Sequence, residues 1–333
     1  MSAPNRRFAI AGLAAAGGLA TWPTAIAAKR PAKPQPPSPA PPASPPVARP
    51  IPPAEAVDLP DGTKLHYVTD GLGAAVIFVH GSLSDYTYWN DQIEPFAERY
   101  RPFAYSRRYN WPNQNPPIKG YSAITDSNDL AAMIQRLNLA PAHIVGHSYG
   151  ALTGLILAIQ HPDLIHTLTL AEAPDISLLK QLQGEQAKPG KAMYDDIMAH
   201  MVTPMHAAFV KGNEPAGVAT FIDYVHGDPG AWDKFTDQQK ADTLRDAHEW
   251  DLMLTTGTLF PEIHVADIAA IQLPVLLLSG GKSYPFLGVI DDELERLIPG
   301  VKRITFPDAT HQMWLERPVE CRNAVFAHID AHR

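Results

Sequence analysis

Residues 143–154, reading HIVGHSYGALTG, narrow the choice of fold more than any other stretch of the chain. A short apolar strand at 143–145 runs into Gly146-His147-Ser148-Tyr149-Gly150, and an apolar helical stretch at 151–160 follows at once. A serine with glycine two residues to either side suits a very tight strand-to-helix turn, where larger flanking side chains would clash. Such a turn strains the serine backbone and presents its hydroxyl to solvent. The helix that follows points its positive end at the serine, favouring negative charge that develops during a reaction. Five-residue patterns recur by chance, so it is the strand before and the helix after that make Ser148 a candidate nucleophile.

Two further motifs fit the same chemistry. Residues 74–79 (AAVIFV) form an apolar strand that ends in Val79-His80-Gly81-Ser82. Acyl transfer needs two backbone N–H donors aimed at an oxyanion. One is expected from Tyr149, the residue after the nucleophile, and the other from the loop after this strand, at Ser82. His80 is expected to brace that loop rather than to carry protons. Near the C-terminus, Pro307-Asp308-Ala309-Thr310-His311 follows a strand-like stretch. A serine alcohol is a weak nucleophile without a base in hydrogen-bond reach, and histidine is the side chain that titrates near neutrality. His311 stands where the chain order serine, acid, histidine requires the base. The remaining histidines are scattered and read as surface or packing residues.

Around these motifs the pattern alternates. Strands are expected at 64–69, 74–79, 103–106, 143–145, 165–170, 274–278 and 302–306, and helices at 126–139, 151–160, 287–298 and 317–332. Apolar strands separated by helices imply β-α-β units and a mostly parallel sheet covered on both faces. Between about residues 174 and 267 the strand pattern disappears. That stretch has helical spacing at Met193, Ile197 and Met201 and reads as a helical insertion.

The first 56 residues have a different character. Arg6-Arg7 precede a weakly apolar run, and Ala25-Ile26-Ala27 supplies an A-x-A pattern, so residues 1–27 read as an export signal, its paired arginines suggesting the twin-arginine type. Its glycines and Pro23 argue against a stable membrane span. This points to a periplasmic or secreted protein. Residues 31–53 hold 12 of the 33 prolines, so 28–56 reads as an extended linker and 57–333 as the folded domain. The formal net charge of −8, with no Lys/Arg-rich run, argues against nucleic-acid binding. The one cysteine, Cys321, excludes an internal disulfide and reads as structural, and no Cys/His cluster has zinc spacing. The expected partner is a small-molecule substrate, with no cofactor or metal; the sequence leaves the oligomeric state open.

Taken together, residues 57–333 resemble the α/β-hydrolase superfamily, in particular its single-domain members with a helical cap. The Ser148 elbow, the His80-Gly81 loop and His311 match the family pattern residue by residue. The resemblance implies an α/β fold with an eight-stranded, mostly parallel sheet, helices on both faces and a cap at about 174–267. One position departs. The family places its catalytic acid just after the strand that here reads PVLLL, where this chain has Ser279-Gly280-Gly281-Lys282. A glycine cannot orient a histidine. Some relatives, similar to certain haloalkane dehalogenases, carry the acid one strand earlier, which points to Glu172 in Leu170-Ala171-Glu172-Ala173-Pro174. Asp175, Asp291 and Asp308 compete for the role; Asp291, at the start of a helical stretch, reads as solvated.

The expected activity is hydrolysis of a carboxylic ester or related small acyl substrate through a Ser148-His311-Glu172 triad and an acyl-enzyme. Lactone hydrolysis, carbon–carbon bond hydrolysis and haloperoxidase-like perhydrolysis use the same triad. A second class is a binding protein on the same fold that has lost turnover. His80, Gly81, Arg107 and Trp111 are candidate substrate contacts, the last two because Arg107-Arg108-Tyr109-Asn110-Trp111 can hold an anionic or aromatic group, or can serve structure alone. Trp232, Trp250, Phe209 and Met253 either line the pocket or form the core of the cap.

Overall fold

The computed structural model describes residues 50–333. The expected signal at 1–27 and most of the linker lie outside the described residues. Eight strands form one sheet: β1 (Glu55–Asp58), β2 (Lys64–Thr69), β3 (Ala75–Val79), β4 (Arg101–Tyr105), β5 (Ala142–His147), β6 (Ile165–Ala171), β7 (Val275–Gly280) and β8 (Lys302–Phe306). Their order is β1-β2-β4-β3-β5-β6-β7-β8. β2 runs antiparallel to both its neighbours, and the pairings from β4 through β8 are parallel. The eight-stranded, mostly parallel sheet that the family resemblance implied is the sheet observed.

β3 is buried along its whole length because both faces of the sheet are covered. Its side chains alternate between two cores. Ile77 and Val79 face a core shared with helices α2 (Ala123–Arg136), α3 (Tyr149–Gln160) and α10 (Pro285–Leu297). Val76 and Phe78 face a second core with α1 (Asn90–Ala97), α11 (Met313–Glu316) and α12 (Pro318–Asp330). Phe78 is packed between Trp89 and Phe96, with ring centroids 4.9 and 4.8 Å away. Cys321 is buried in this second core.

Three elements outside the cap escape a sequence reading: β1, α1 and the four-residue α11. β1 begins at Glu55, inside the range read as linker; only its Val57 is buried, and its proline-rich flanks hide so short an edge strand. α1 contains Pro95, a residue that argues against a helix unless it lies in the first turns. Between β6 and β7 the described chain is helical: α4 (Ala187–Ile197), α5 (Thr203–Val210), α6 (Glu214–His226), α7 (Asp237–Arg245), α8 (His248–Thr255) and α9 (Val265–Ala269), with short 3-10 and π turns between. α7 starts with a reciprocal capping box between Thr236 and Gln239. None of the helices among the described residues is long and apolar enough to cross a membrane.

The chain leaves β3 for β4 on one side and returns to β5 on the other, so the crossover direction reverses at β3. In parallel sheets, ligands bind beyond the carboxyl ends of strands at such a reversal. The loops after β3, β5, β6, β7 and β8 all open at that end.

Candidate active site

β5 delivers Ser148 at a backbone conformation few residues adopt, φ +54° and ψ −125°. The turn forms only because its neighbours lack side chains. A Cβ at Gly150 would lie 2.2 Å from the carbonyl oxygen of Val79, and one at Gly146 would lie 2.5 Å from that of Gly150. The Ser148 amide donates to Ala171 O on β6 (2.9 Å), and its own carbonyl accepts from the amides of Ala151 and Leu152, which starts α3. Ser148 stays partly exposed at the bend.

Glu172 extends from the end of β6 with φ +52°, a second non-glycine residue held in the left-handed region. Its Oε2 accepts from His311 Nδ1 at 2.6 Å and from the Ser283 hydroxyl at 2.7 Å, and its Oε1 accepts from the Gly280 amide at 2.7 Å. This carboxylate, 1% exposed, therefore has a donor on each oxygen, as a buried charge requires. With Nδ1 engaged, Nε2 is the ring nitrogen of His311 left for chemistry. The glycines at the end of β7 have a physical reason: a Cβ at Gly280 would meet Thr310 O at 2.6 Å, and one at Gly281 would meet Pro307 O at 2.5 Å. The strand end that lacks a carboxylate supplies a bare amide to Glu172 instead.

The competing acids are engaged elsewhere. Asp175 accepts from the Ser177 hydroxyl and the Leu178 amide, capping a short 3-10 turn. Asp308 is exposed beside Lys282. Asp291 is not solvated, contrary to expectation. It is 1% exposed under β7 and accepts from the Ser279 hydroxyl, and burial pushes its carboxyl up to about 8.

Ser82, Ser148, Tyr149 and His311 line one cavity with about 520 Å³ of empty space, part of it open to solvent. The rest of its wall is apolar and comes from the loop after β6, from α5, α6 and α8 of the cap, and from the start of α10, including Met205, Phe221, Trp250, Leu259 and Phe286. None of the residues lining it is an acid, a lysine or an arginine. The Ser82 amide has no hydrogen-bond partner among the described residues.

The loop after β3 is braced as its residue types suggested. His80 is fully buried; its Nδ1 donates to Gly81 O (2.8 Å) and its Nε2 accepts from the Arg107 amide (3.1 Å). Burial, together with the nearby Arg107 charge, holds its pKa well below the ordinary histidine value. Gly81 packs against the nucleophile; a Cβ there would stand 3.1 Å from Ser148 Cβ.

None of the four expected substrate contacts lines the cavity: His80 and Gly81 serve the loop beside it, and Arg107 and Trp111 are engaged elsewhere. Arg107 is buried, with Nη1 on Asp126 (2.9 Å) and Nη2 against Glu249 (2.5 Å) and Gly81 O (3.1 Å), its guanidinium 5.0 Å from the Tyr149 ring centroid. Burial opposes its charge, but the two carboxylates outweigh burial and hold its pKa well above the ordinary value. Both of its terminal nitrogens are thus taken by protein groups, and the side chain does not line the cavity. Trp111 stacks on Tyr86 (5.7 Å) under the Arg245 guanidinium (4.6 Å), and its amide donates to Asp246 (2.6 Å). Of the four cap residues considered, Trp250 lines the cavity, Met253 faces a separate groove beside Leu254, and Phe209 and Trp232 belong to the packed interior.

Sequence reasoning missed His147, the second residue of the elbow. Its Nε2 donates to the His311 carbonyl (2.8 Å), and its ring lies 4.7 Å from that of His311 and stacks on Tyr88 at 5.2 Å. Burial, with the nearby His311, lowers its pKa to about 3, so it is a neutral donor. No signal in a single sequence distinguishes it from any other buried histidine. The same holds for Ser283, which becomes a partner of Glu172 only through the turn after β7.

An eight-stranded sheet of this order, with a strained serine elbow on β5 and a histidine–carboxylate pair beside it, defines a class of fold. It is the α/β-hydrolase fold, and residues 74–199 of the chain match the alpha/beta hydrolase fold family. The chain is 30% identical over 137 residues to YraK, an uncharacterized hydrolase of Bacillus subtilis, a match covering 41% of this chain and 49% of that protein. It is 26% identical over 265 residues to the sn-1-specific diacylglycerol lipase ABHD11 of Mus musculus, covering 77% of this chain and 81% of that one. The enol-lactonase of Burkholderia xenovorans LB400 superposes with a TM-score of 0.59 at 20% identity, over 83% of this chain and 100% of that one, and shares the fold.

Proposed function

We propose that the protein is a serine hydrolase acting on carboxylic esters or related acyl compounds with neutral, apolar groups next to the carbonyl. The observation that carries this reading is the Glu172–His311 contact of 2.6 Å, with both His311 and the strained Ser148 on the wall of one apolar cavity. In this reading His311 Nε2 takes the Ser148 proton as the oxygen attacks the carbonyl carbon. Glu172 holds the imidazole tautomer and stabilises its charged form. The amides of Ser82 and Tyr149 receive the oxyanion. His311 then returns the proton to the leaving group, and water, activated by the same histidine, releases the acyl-enzyme. A serine at the elbow supports acyl transfer over epoxide opening, for which relatives on this fold place an aspartate at that position.

The test is turnover of p-nitrophenyl butyrate by the full chain, alongside labelling by a fluorophosphonate. Wild type is expected to hydrolyse the ester and to be labelled at Ser148. Ser148→Ala is expected to lose at least about 10³-fold in kcat and all labelling. A folded wild type that binds the ester without turnover would favour a binding protein on this fold and end the hydrolase reading.

A further inference from the structure

The loop that carries Ser82 is gripped from the cap as well as from the sheet. Leu83 has φ +54°, a conformation that costs a leucine free energy unless its surroundings hold it. Its amide donates to Glu249 Oε1 at 2.7 Å. Glu249 lies on α8, is fully buried, and sets its other oxygen 2.5 Å from Arg107 Nη2. The same guanidinium donates to Gly81 O at 3.1 Å and is anchored on Asp126 at 2.9 Å. The residues on both sides of Ser82 are thus fixed by one buried ion-pair cluster, Gly81 through Arg107 and Leu83 through Glu249. One helical position further, Trp250 contributes to the cavity wall.

We propose that Glu249 is a positioning residue for the oxyanion site: by holding the Leu83 amide it fixes a strained loop so that the Ser82 amide points into the cavity. This rests on the acyl-transfer reading of Ser148. The physical argument is that preorganised donors act only if their direction is set before charge develops. A loop held in a costly conformation relaxes when its partner is withdrawn, and a donor displaced by about 1 Å loses much of its effect on the transition state. The cap then does more than shape the pocket; one of its helices completes the framework of the donor site.

Glu249→Gln in the full chain preserves side-chain size, yet its single amide oxygen cannot accept from both Leu83 and Arg107. The expected result is a roughly ten- to hundredfold fall in kcat on p-nitrophenyl butyrate with KM within about threefold. An aryl trifluoromethyl ketone, whose adduct places an oxyanion on the same donors, should bind more weakly by a similar factor. Hydrogen exchange at the Leu83 amide should quicken. Glu249→Ala is expected to go further in the same direction, and if it does not fold, the glutamine variant carries the test. A folded glutamine variant with unchanged kcat and ketone affinity, or with a raised KM alone, would overturn the proposal. A wild type that turns over no ester would instead sink the acyl-transfer reading, while exchange at Leu83 would still report whether Glu249 holds the loop.

Discussion

Of the four non-glycine residues held at positive φ among the described residues, Leu83, Asn138, Ser148 and Glu172, two carry the chemistry proposed for the chain. Ser148 and Glu172 each sit at positive φ, at the ends of adjacent strands β5 and β6. Strain at both supports a shared role, since such conformations persist where the surrounding structure over-determines them. Glu172→Gln keeps the shape of the side chain but removes its charge and sets an amide N–H against a donor that the carboxylate accepted. We expect kcat to fall by on the order of 10³-fold with a modest change in KM, measured by steady-state ester hydrolysis. A variant with more than about a tenth of wild-type kcat would remove Glu172 from the proposed triad. Of this site, Ser148, His311 and the loop at Ser82 were legible because each is announced by a local pattern at a strand end. Glu172 was legible only by default, from the glycines after β7. Its partners, Gly280 at the end of β7 and Ser283 in the turn after it, were not, because they lie 108 and 111 residues away.

At the scale of elements, β7 and α10 enclose Asp291, a group that sequence alone misplaces. Helical periodicity puts it near the start of a helix, where acids are ordinarily solvated. In the structure the β7 side of α10 takes Asp291 inward with Ile290 and Leu294. The Ser279 hydroxyl that it accepts from is itself bound by Arg303 Nε on β8 (2.9 Å). Its carboxyl is raised to about 8 by burial, against about 3.9 in an unfolded chain. The folded state therefore holds a proton that the unfolded state releases between about pH 4 and pH 8, and Asp291 costs increasing stability as pH rises through that window. An amide at this position does not titrate, so the melting temperature of Asp291→Asn relative to wild type should rise by several degrees between pH 5 and pH 8. Parallel thermal melts across that range check it; a difference that is flat with pH would show that Asp291 is ionised in the fold. Elements themselves were readable where an apolar run was long enough to be buried on both faces, as in β3 and β7. They were not readable in β1, with one buried residue, or in α1, which carries Pro95.

For the whole molecule, the cavity is a joint product of sheet and cap, and its chemistry belongs to neither alone. The sheet end contributes the polar atoms, Ser82, Ser148 and His311, and most of the apolar wall comes from helices and loops above it. Arg107 is paired with Asp126 and Glu249 and does not line the cavity. A carboxylate on the acyl group would lose its hydration on entry and find no charged partner on the wall. We expect kcat/KM for a p-nitrophenyl ester of a monoanionic dicarboxylic acid to be roughly 10²-fold below that of the neutral acyl ester of equal length. Comparable values for the two esters would mean that the acyl group does not sit in this cavity.

The sequence by itself determined the alternation of β2–β8 with the main sheet-covering helices, the serine elbow and the late histidine. These depend on apolar periodicity, glycine and residue type within a few positions of one another, and short-range physics is written locally. Only the tertiary structure decided which carboxylate meets His311, that Arg107 and Trp111 face away from the cavity, and that a glutamate from the cap holds the loop beside Ser82. Each of those depends on where a side chain points after segments far apart in the chain have packed, and on which buried charge finds its partner first in space rather than in sequence.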